Sequence, residues 1–300
     1  MGLIGGSMAI DLKRRGFART VLGVEKDPVA AEAAKTIGLV DEIVSYEDCI
    51  SRADIIVVAV PVGAAVKMVC DILDHFNTRG DVAVSSASLR DPVRANAPAK
   101  AFPSESKIVI DVCSTKEQIC NATKYHPCRG QFVSTHPMAG TEYSGPWAAM
   151  PNLFDGRACI IANPTESSPK ALAQIEKLYA VLNMRPLYME ASQHDVHTAY
   201  VSHISHITSF ALALTVLDKE KDEKHIFDLA SGGFSSTVRL AKSNPDMWIP
   251  ILSQNRDNVL RVMDTYIDKM SQFRDAIDAR DEEKIKELIE EANKIKRILR

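Results

Sequence analysis

Short apolar runs alternate with helical patterns through the first half of the chain, and that alternation limits the fold more than any other feature. Residues 20–25 (Thr-Val-Leu-Gly-Val-Glu), 54–60 (Asp-Ile-Ile-Val-Val-Ala-Val) and 107–112 (Lys-Ile-Val-Ile-Asp-Val) read as strands. The last two are continuous Val/Ile runs, the mark of strands buried on both faces. Helical stretches lie between them. Asp27-Pro28 opens one, with Pro in its first turn and Gly38 as its stop. Residues 63–76 form another, apolar at Val66, Val69, Cys70 and Leu73. Buried strands separated by helices predict a parallel sheet covered on both sides, a doubly wound α/β fold. Further strands are expected at 131–134, 158–162 and 186–189, with a helix opened by Ser168-Pro169.

Strand signals stop near residue 190. Beyond it the pattern is helical, from Val201, Ile204 and Ile207 to a last stretch over 281–300. That stretch sets Ile285, Leu288, Ile289, Ala292, Ile295 and Leu299 on one face and mixes Glu with Lys/Arg on the other. Two domains are therefore expected: 1–190, binding a dinucleotide, and 191–300, all-α. Lys+Arg is 36 and Asp+Glu is 39, a net charge of -3, which leaves no electrostatic case for nucleic acid or an anionic membrane. No apolar run of membrane length is expected, and no leader ahead of a motif that begins at residue 2. Six scattered cysteines without a Cys-x-x-Cys pair suit reduced thiols in the cytoplasm. Cys113, Cys120, His126 and Cys128 match no common zinc spacing, so no metal is expected there.

Gly2-Leu3-Ile4-Gly5-Gly6-Ser7 leads into an expected helix over residues 8–15, and Glu25 follows Gly5 at the end of the next strand. This is the second half of a dinucleotide fingerprint. Glycines let the backbone approach a pyrophosphate, and the helix N-terminus offers it free N–H groups. A carboxylate at Glu25 accepts from the ribose hydroxyls and repels a 2′-phosphate, favouring NAD over NADP. A tight helix-capping turn is the plainer reading of the glycines alone. The first fingerprint Gly and its preceding strand are absent, so the sheet is expected to lack a central strand.

The chemistry-bearing residues follow strands, where an open α/β sheet has its ligand crevice. Ser114, in Asp111-Val-Cys-Ser114-Thr-Lys116, bonds the cofactor or a substrate hydroxyl, caps the next helix, or does both. His136, in Thr-His136-Pro-Met-Ala-Gly140-Thr-Glu, is placed to accept a proton from a substrate hydroxyl as hydride leaves the same carbon; a structural, loop-capping His is the alternative. Ser192-Gln-His194-Asp-Val-His197 and Ser202-His203-Ile-Ser-His206 gather four histidines on one helical stretch. They suit hydrogen bonds to an anion or packing in the core better than a metal. Arg239 has no acidic neighbour in sequence and suits carboxylate recognition, a surface Arg being the alternative. Trp248 reads as packing.

Taken together these motifs resemble the prephenate dehydrogenase family, which includes arogenate dehydrogenases. The marks are Gly-Leu-Ile-Gly-Gly-Ser, Asp-Val-Cys-Ser-Thr-Lys, His-Pro-Met-Ala-Gly-Thr-Glu, Ser-His-Ile-Ser-His and Thr-Val-Arg-Leu-Ala-Lys-Ser-Asn-Pro-Asp-Met-Trp, over nearly the whole chain. The resemblance implies a Rossmann-type domain holding NAD at Gly2, Leu3, Ile4, Gly5, Glu25 and Ser114. The all-α domain would then form the dimer. It implies that His136 meets the ring hydroxyl of prephenate, that Ser114 bridges cofactor and reacting centre, and that Arg239 binds a carboxylate. His206, Thr141 and Gly232 would line the pocket. Arogenate dehydrogenase, a non-catalytic NAD-binding relative and a hydroxyacid dehydrogenase are the alternatives. The family's usually short connection is lengthened between Phe76 and Lys107, which reads as a surface insertion.

Overall fold

The computed structural model describes residues 1–87, 107–220 and 226–298, with side chains left undescribed at 78–87 and 227. The greater part of the expected insertion lies outside the described residues.

Among the described residues seven strands form two sheets: β1 (Leu22–Gly23), β2 (Glu42–Ile43), β3 (Ile55–Val58), β4 (Ile108–Asp111), β5 (Phe132–Pro137), β6 (Ala158–Ala162) and β7 (Arg185–Met189). β1 and β2 pair in parallel apart from the rest, which run in the order β3-β4-β5-β6-β7. β3, β4 and β5 are parallel, as the apolar runs predict. β6 departs from that expectation by pairing antiparallel with β5, while β7 runs parallel to β6. Only a short 3₁₀ turn (Pro146–Ala148) lies between β5 and β6, with no α-helix to carry a crossover, and the chain returns antiparallel.

Helices cover the sheet: α1 (Leu3–Arg14), α2 (Pro28–Thr36), α3 (Tyr46–Arg52), α4 (Val62–Ala87), α5 (Glu117–Thr123) and α6 (Pro169–Val181). Asp27 caps α2 by accepting from Val29 N, and Ser168 caps α6 by accepting from Ala171 N, each with Pro next in line. α1 begins at Leu3, earlier than expected, so the glycine loop is itself the first helical turn. A Cβ on Gly6 would sit 2.7 Å from Ala149 Cβ and one on Gly5 3.1 Å from Ala59 Cβ, so only glycine lets this turn pack so closely. Period-2 alternation splits the core. Val109 faces Val69, Ile72, Leu73 and Phe76 of α4, and Ile108 and Ile110 face Ile175, Leu178 and Tyr179 of α6.

From Ala191 onward the described chain is helical: α7 (Ala191–Thr198), a π-helical turn (Ala199–His203), α8 (Ile204–Glu220), α9 (Gly232–Val238), α10 (Pro245–Gln254), α11 (Arg256–Asp278) and α12 (Glu282–Asn293). Trp248 and Ile251 of α10 join the α4 side of the core, so helical and sheet elements share one apolar cluster. α7, the π turn and α8 form one 30-residue helix, Ala191–Glu220, long and apolar enough by composition to cross a membrane, with mean hydropathy 1.3 in its most apolar window. No such run was expected, because His, Ser and Thr interrupt its apolar residues. Only 11% of that window is buried.

Candidate active site

β4 and β5 are neighbours paired Asp111 to Ser134, so their carboxyl ends open on the same edge of the sheet. That edge carries Ser114 after β4 and His136 near the end of β5. A buried network holds it in place. Asp111 Oδ1 accepts from Ser134 Oγ at 3.0 Å and Thr135 N at 3.1 Å. Asp111 Oδ2 accepts from Cys113 N and from the ammonium of Lys116, which also donates to Thr135 O at 2.8 Å. Burial works against the Lys116 charge, but the Asp111 carboxylate outweighs it and holds the amine above its ordinary range.

His136 is half-buried, and its Nδ1 lies 2.8 Å from Nε2 of His194. His194 is buried, and its Nδ1 lies 2.7 Å from Asp195 Oδ1. Asp195 also accepts from Lys116 N at 2.7 Å and Glu117 N at 2.9 Å. It thereby caps α5 from another element. The alternative of Ser114 as that cap is overturned: the N-cap position is Lys116, and its side chain makes no capping bond. Burial first, then the nearby His194, Lys116 and His203, push the His136 imidazole well below its usual pKa of 6.5. Burial likewise lowers His203 to about 4. His203 Nδ1 meets Asn255 Nδ2 at 3.1 Å, and that amide donates to Asp195 O at 2.6 Å.

His206 stacks on Trp248 with ring centroids 3.7 Å apart, and its Nδ1 lies 3.1 Å from Ser202 O. Burial lowers its pKa, the Ser202 carbonyl opposes that, and Arg239 is near enough to add to it. The Arg239 segment is tied to α8 by Ser209 Oγ, which donates to Thr237 O at 3.0 Å. Arg239 does have an acidic partner, contrary to the view from its sequence neighbours: Nη1 lies 3.3 Å from Glu142 Oε2, in the loop after His136. Thr141 Oγ1 in that loop accepts from Tyr143 N at 3.2 Å. Gly232 opens α9 with nothing within 4 Å of where a Cβ would lie. Among the described residues no hydrogen bond links Thr141 or Gly232 to His136.

The glycine turn fits a dinucleotide diphosphate. Gly2 is the extended N-cap of α1, no side chain caps it, and a Cβ there would meet open space. The first intrahelical bond is Gly6 N to Gly2 O at 2.8 Å, so the amides of Leu3, Ile4 and Gly5 stay free for an anion. Glu25 accepts from Asp27 N at 3.1 Å and from the Met1 ammonium, which puts the carboxylate beside this turn. Burial raises its pKa, but those donors prevail and hold it below the ordinary range.

Sequence reasoning named His136 and Arg239 but paired neither with its partners, His194 and Asp195 for the one and Glu142 for the other. His194 and Asp195 stood in a quoted histidine motif, yet nothing in the spacing tied them to His136 across 58 residues of chain. Among the described residues no group of three or more His, Cys, Asp or Glu is placed to hold a metal ion.

The profile described as "Prephenate dehydrogenase, nucleotide-binding domain" matches residues 8–102 and 92–187. The profile described as "Prephenate dehydrogenase, dimerization domain" matches residues 190–291. The prephenate dehydrogenase of Bacillus subtilis is 28% identical over 287 residues, covering 95% of this chain and 70% of the relative. The structure of prephenate dehydrogenase from Aquifex aeolicus, in complex with hydroxyphenyl propionate and NAD+, superposes with a TM-score of 0.79 at 26% identity, covering 99% of this chain and 94% of that one. Synechocystis arogenate dehydrogenase follows at a TM-score of 0.71 and 25% identity, covering 98% and 96%. With both halves matched and the crevice histidine, the arginine and the uncapped glycine helix in place, this chain belongs to the prephenate dehydrogenase family.

Proposed function

We propose that the chain oxidises prephenate with NAD, giving 4-hydroxyphenylpyruvate and CO₂ in tyrosine biosynthesis. The observation that carries the reading is His136 at the mouth of the sheet, held neutral by burial, with Arg239 paired to Glu142 in the loop that follows it. Bound at the α1 turn, NAD would accept the hydride from the hydroxyl-bearing ring carbon.

The chain's own residues orient the substrate and manage one proton. Nε2 of His136 takes the hydroxyl proton as that carbon gains its carbonyl character. Departure of the ring carboxylate as CO₂ returns an electron pair to the ring, which becomes aromatic, and the proton goes back to the phenol oxygen. No proton is released overall, so His136 lends and recovers rather than consumes. Arg239 clamps a substrate carboxylate, exchanging part of its contact with Glu142 for a paired fork of hydrogen bonds. Ser114 bridges the cofactor and the reacting hydroxyl; its half-buried side chain makes no hydrogen bond among the described residues. His206, Thr141 and Gly232 line the pocket. Leu3, Ile4 and Gly5 offer amides to the diphosphate from Gly2 onward, and Glu25 takes the ribose hydroxyls.

Arogenate carries an ammonium where prephenate has a keto group. Glu142 favours it as a second substrate, since a carboxylate beside Arg239 is the group an ammonium would seek. We place the domain division at residue 190, with 1–190 binding the dinucleotide and 191–300 helical. The helical part forms a homodimer: its exposed Val201, Leu214, Ile249 and Ile267 need cover. The enzyme works in the cytoplasm on a small molecule, without nucleic acid or membrane.

Product stoichiometry tests this reading. One CO₂ and one 4-hydroxyphenylpyruvate should appear for each NADH formed from prephenate. NADH formed without CO₂ would mean a simple hydroxyacid oxidation.

A further inference from the structure

His194 has no role in the reading so far, yet it is 1% exposed and both of its ring nitrogens face side chains of the site. Its Nδ1 lies 2.7 Å from Asp195 Oδ1 and its Nε2 lies 2.8 Å from His136 Nδ1. The His136 and His194 rings meet edge to face at 5.1 Å between centroids. Asp195 is fixed from two further directions, by Lys116 N and Glu117 N at the start of α5. Its backbone oxygen is held by Asn255.

Hydrogen-bond chemistry then sets each proton in turn. A carboxylate only accepts, so His194 carries its hydrogen on Nδ1. A neutral imidazole has one hydrogen, so Nε2 of His194 is a lone pair. That lone pair requires a donor, so His136 carries its hydrogen on Nδ1. The remaining nitrogen of His136, Nε2, is left as a lone pair. We propose that His194 and Asp195 are positioning residues, a two-residue relay that selects the one tautomer of His136 able to accept the substrate hydroxyl proton.

This rests on the proposed reaction. The proton passes from the hydroxyl oxygen to Nε2 of His136 and returns to the phenol oxygen when CO₂ leaves. While it resides on His136 the new positive charge points its Nδ1–H at the His194 lone pair, and through it toward the Asp195 carboxylate. Without His194 the ring could turn over or carry its hydrogen on Nε2, which removes the base. The logic is that of a carboxylate orienting a catalytic imidazole, with one more imidazole between them.

The test reads the tautomer directly. In protein labelled with ¹⁵N-histidine, the His136 signals are those missing from His136→Asn. They should report hydrogen on Nδ1 in the wild type. They should shift toward Nε2 in Asp195→Asn, whose amide can donate to His194 and reverse the chain. In parallel, His194→Phe and Asp195→Asn should lose about 100-fold or more in kcat, with NADH affinity and KM for prephenate within about threefold. His194→Gln, whose amide oxygen can accept from His136 Nδ1–H, should recover roughly tenfold of that loss. Hydrogen on Nε2 of His136 in the wild type would overturn the proposal, as would a folded His194→Phe with kcat near wild type. If His194→Phe does not fold, the wild-type tautomer and the Gln variant still decide. The expected tautomer in a wild type that turns over neither prephenate nor arogenate would count against the reaction and not against the relay.

Discussion

His136 serves as a base only while Nε2 keeps a lone pair at neutral pH, and its surroundings secure that. Burial and the neighbouring His194, Lys116 and His203 hold its pKa well below 6.5. The neutral form is the active one, so kcat/KM should be flat through neutral pH and fall only in acid, with the inflection below 6.5. A pH–rate profile with its acid limb centred at or above that value would contradict the assignment. Arg239 acts earlier, in binding. Arg239→Ala should raise KM for prephenate by roughly tenfold or more through the lost charged hydrogen bonds, with a smaller change in kcat; equal loss in both would move Arg239 to the transition state. Glu25→Ala should weaken NAD by roughly tenfold and narrow the preference over NADP, since the group that repels a 2′-phosphate is gone. Initial rates with the two cofactors measure this. His136 and Arg239 were legible because each sits in a distinctive run of neighbours. Glu142, His194 and Asp195 were not, because their partners are distant in sequence and only the fold brings them together.

Among the elements, α1 is the one most tightly committed to a single residue choice. A methyl on Gly6 would collide with Ala149 Cβ at 2.7 Å. Gly6→Ala should therefore cost about 1–3 kcal/mol by overpacking, seen as a lower midpoint in thermal unfolding; an unchanged midpoint would mean that the loop carrying Ala149 gives way freely. The strands β3 and β4 and the caps of α2 and α6 were legible for plain reasons. Continuous Val/Ile runs have no exposed face to solvate, and Asp-Pro and Ser-Pro supply both a cap and a preset first turn. The direction of β6 was not legible, because an apolar five-residue run looks the same whichever way it pairs. Glycines read as loop, yet α1 starts among them, because their missing side chains are what lets the first turn sit against the end of β3. The cap of α5 is not Ser114, which the sequence offers as one alternative. It comes instead from Asp195, on a helix that begins far along the chain.

Over the whole molecule, the buried histidines tie stability to pH. His203 titrates near 4 when folded but near 6.5 when unfolded. Between those values the unfolded chain binds more protons, so stability falls as pH drops from 6.5 toward 4 and the loss is complete below the folded value. At pH 5 this one group costs about 2 kcal/mol. The thermal midpoint should be lower at pH 5 than at pH 7, and His203→Gln should flatten that dependence. The exposed apolar side chains of the helical half, Val201, Leu214 and Ile267 among them, belong to the same scale. They should make the protein run as a dimer in light scattering, and a monomer at micromolar concentration would count against a homodimer through this half.

The central claim is that this crevice oxidises prephenate through His136. Its most direct measurement is the rate of NADH formation from prephenate and NAD by wild type and His136→Asn, with NADH binding measured on both. The wild type should turn over, and the variant should fall by about 100-fold or more with NADH binding unchanged. A wild type inert with prephenate, or a variant as fast as the wild type, would contradict the account.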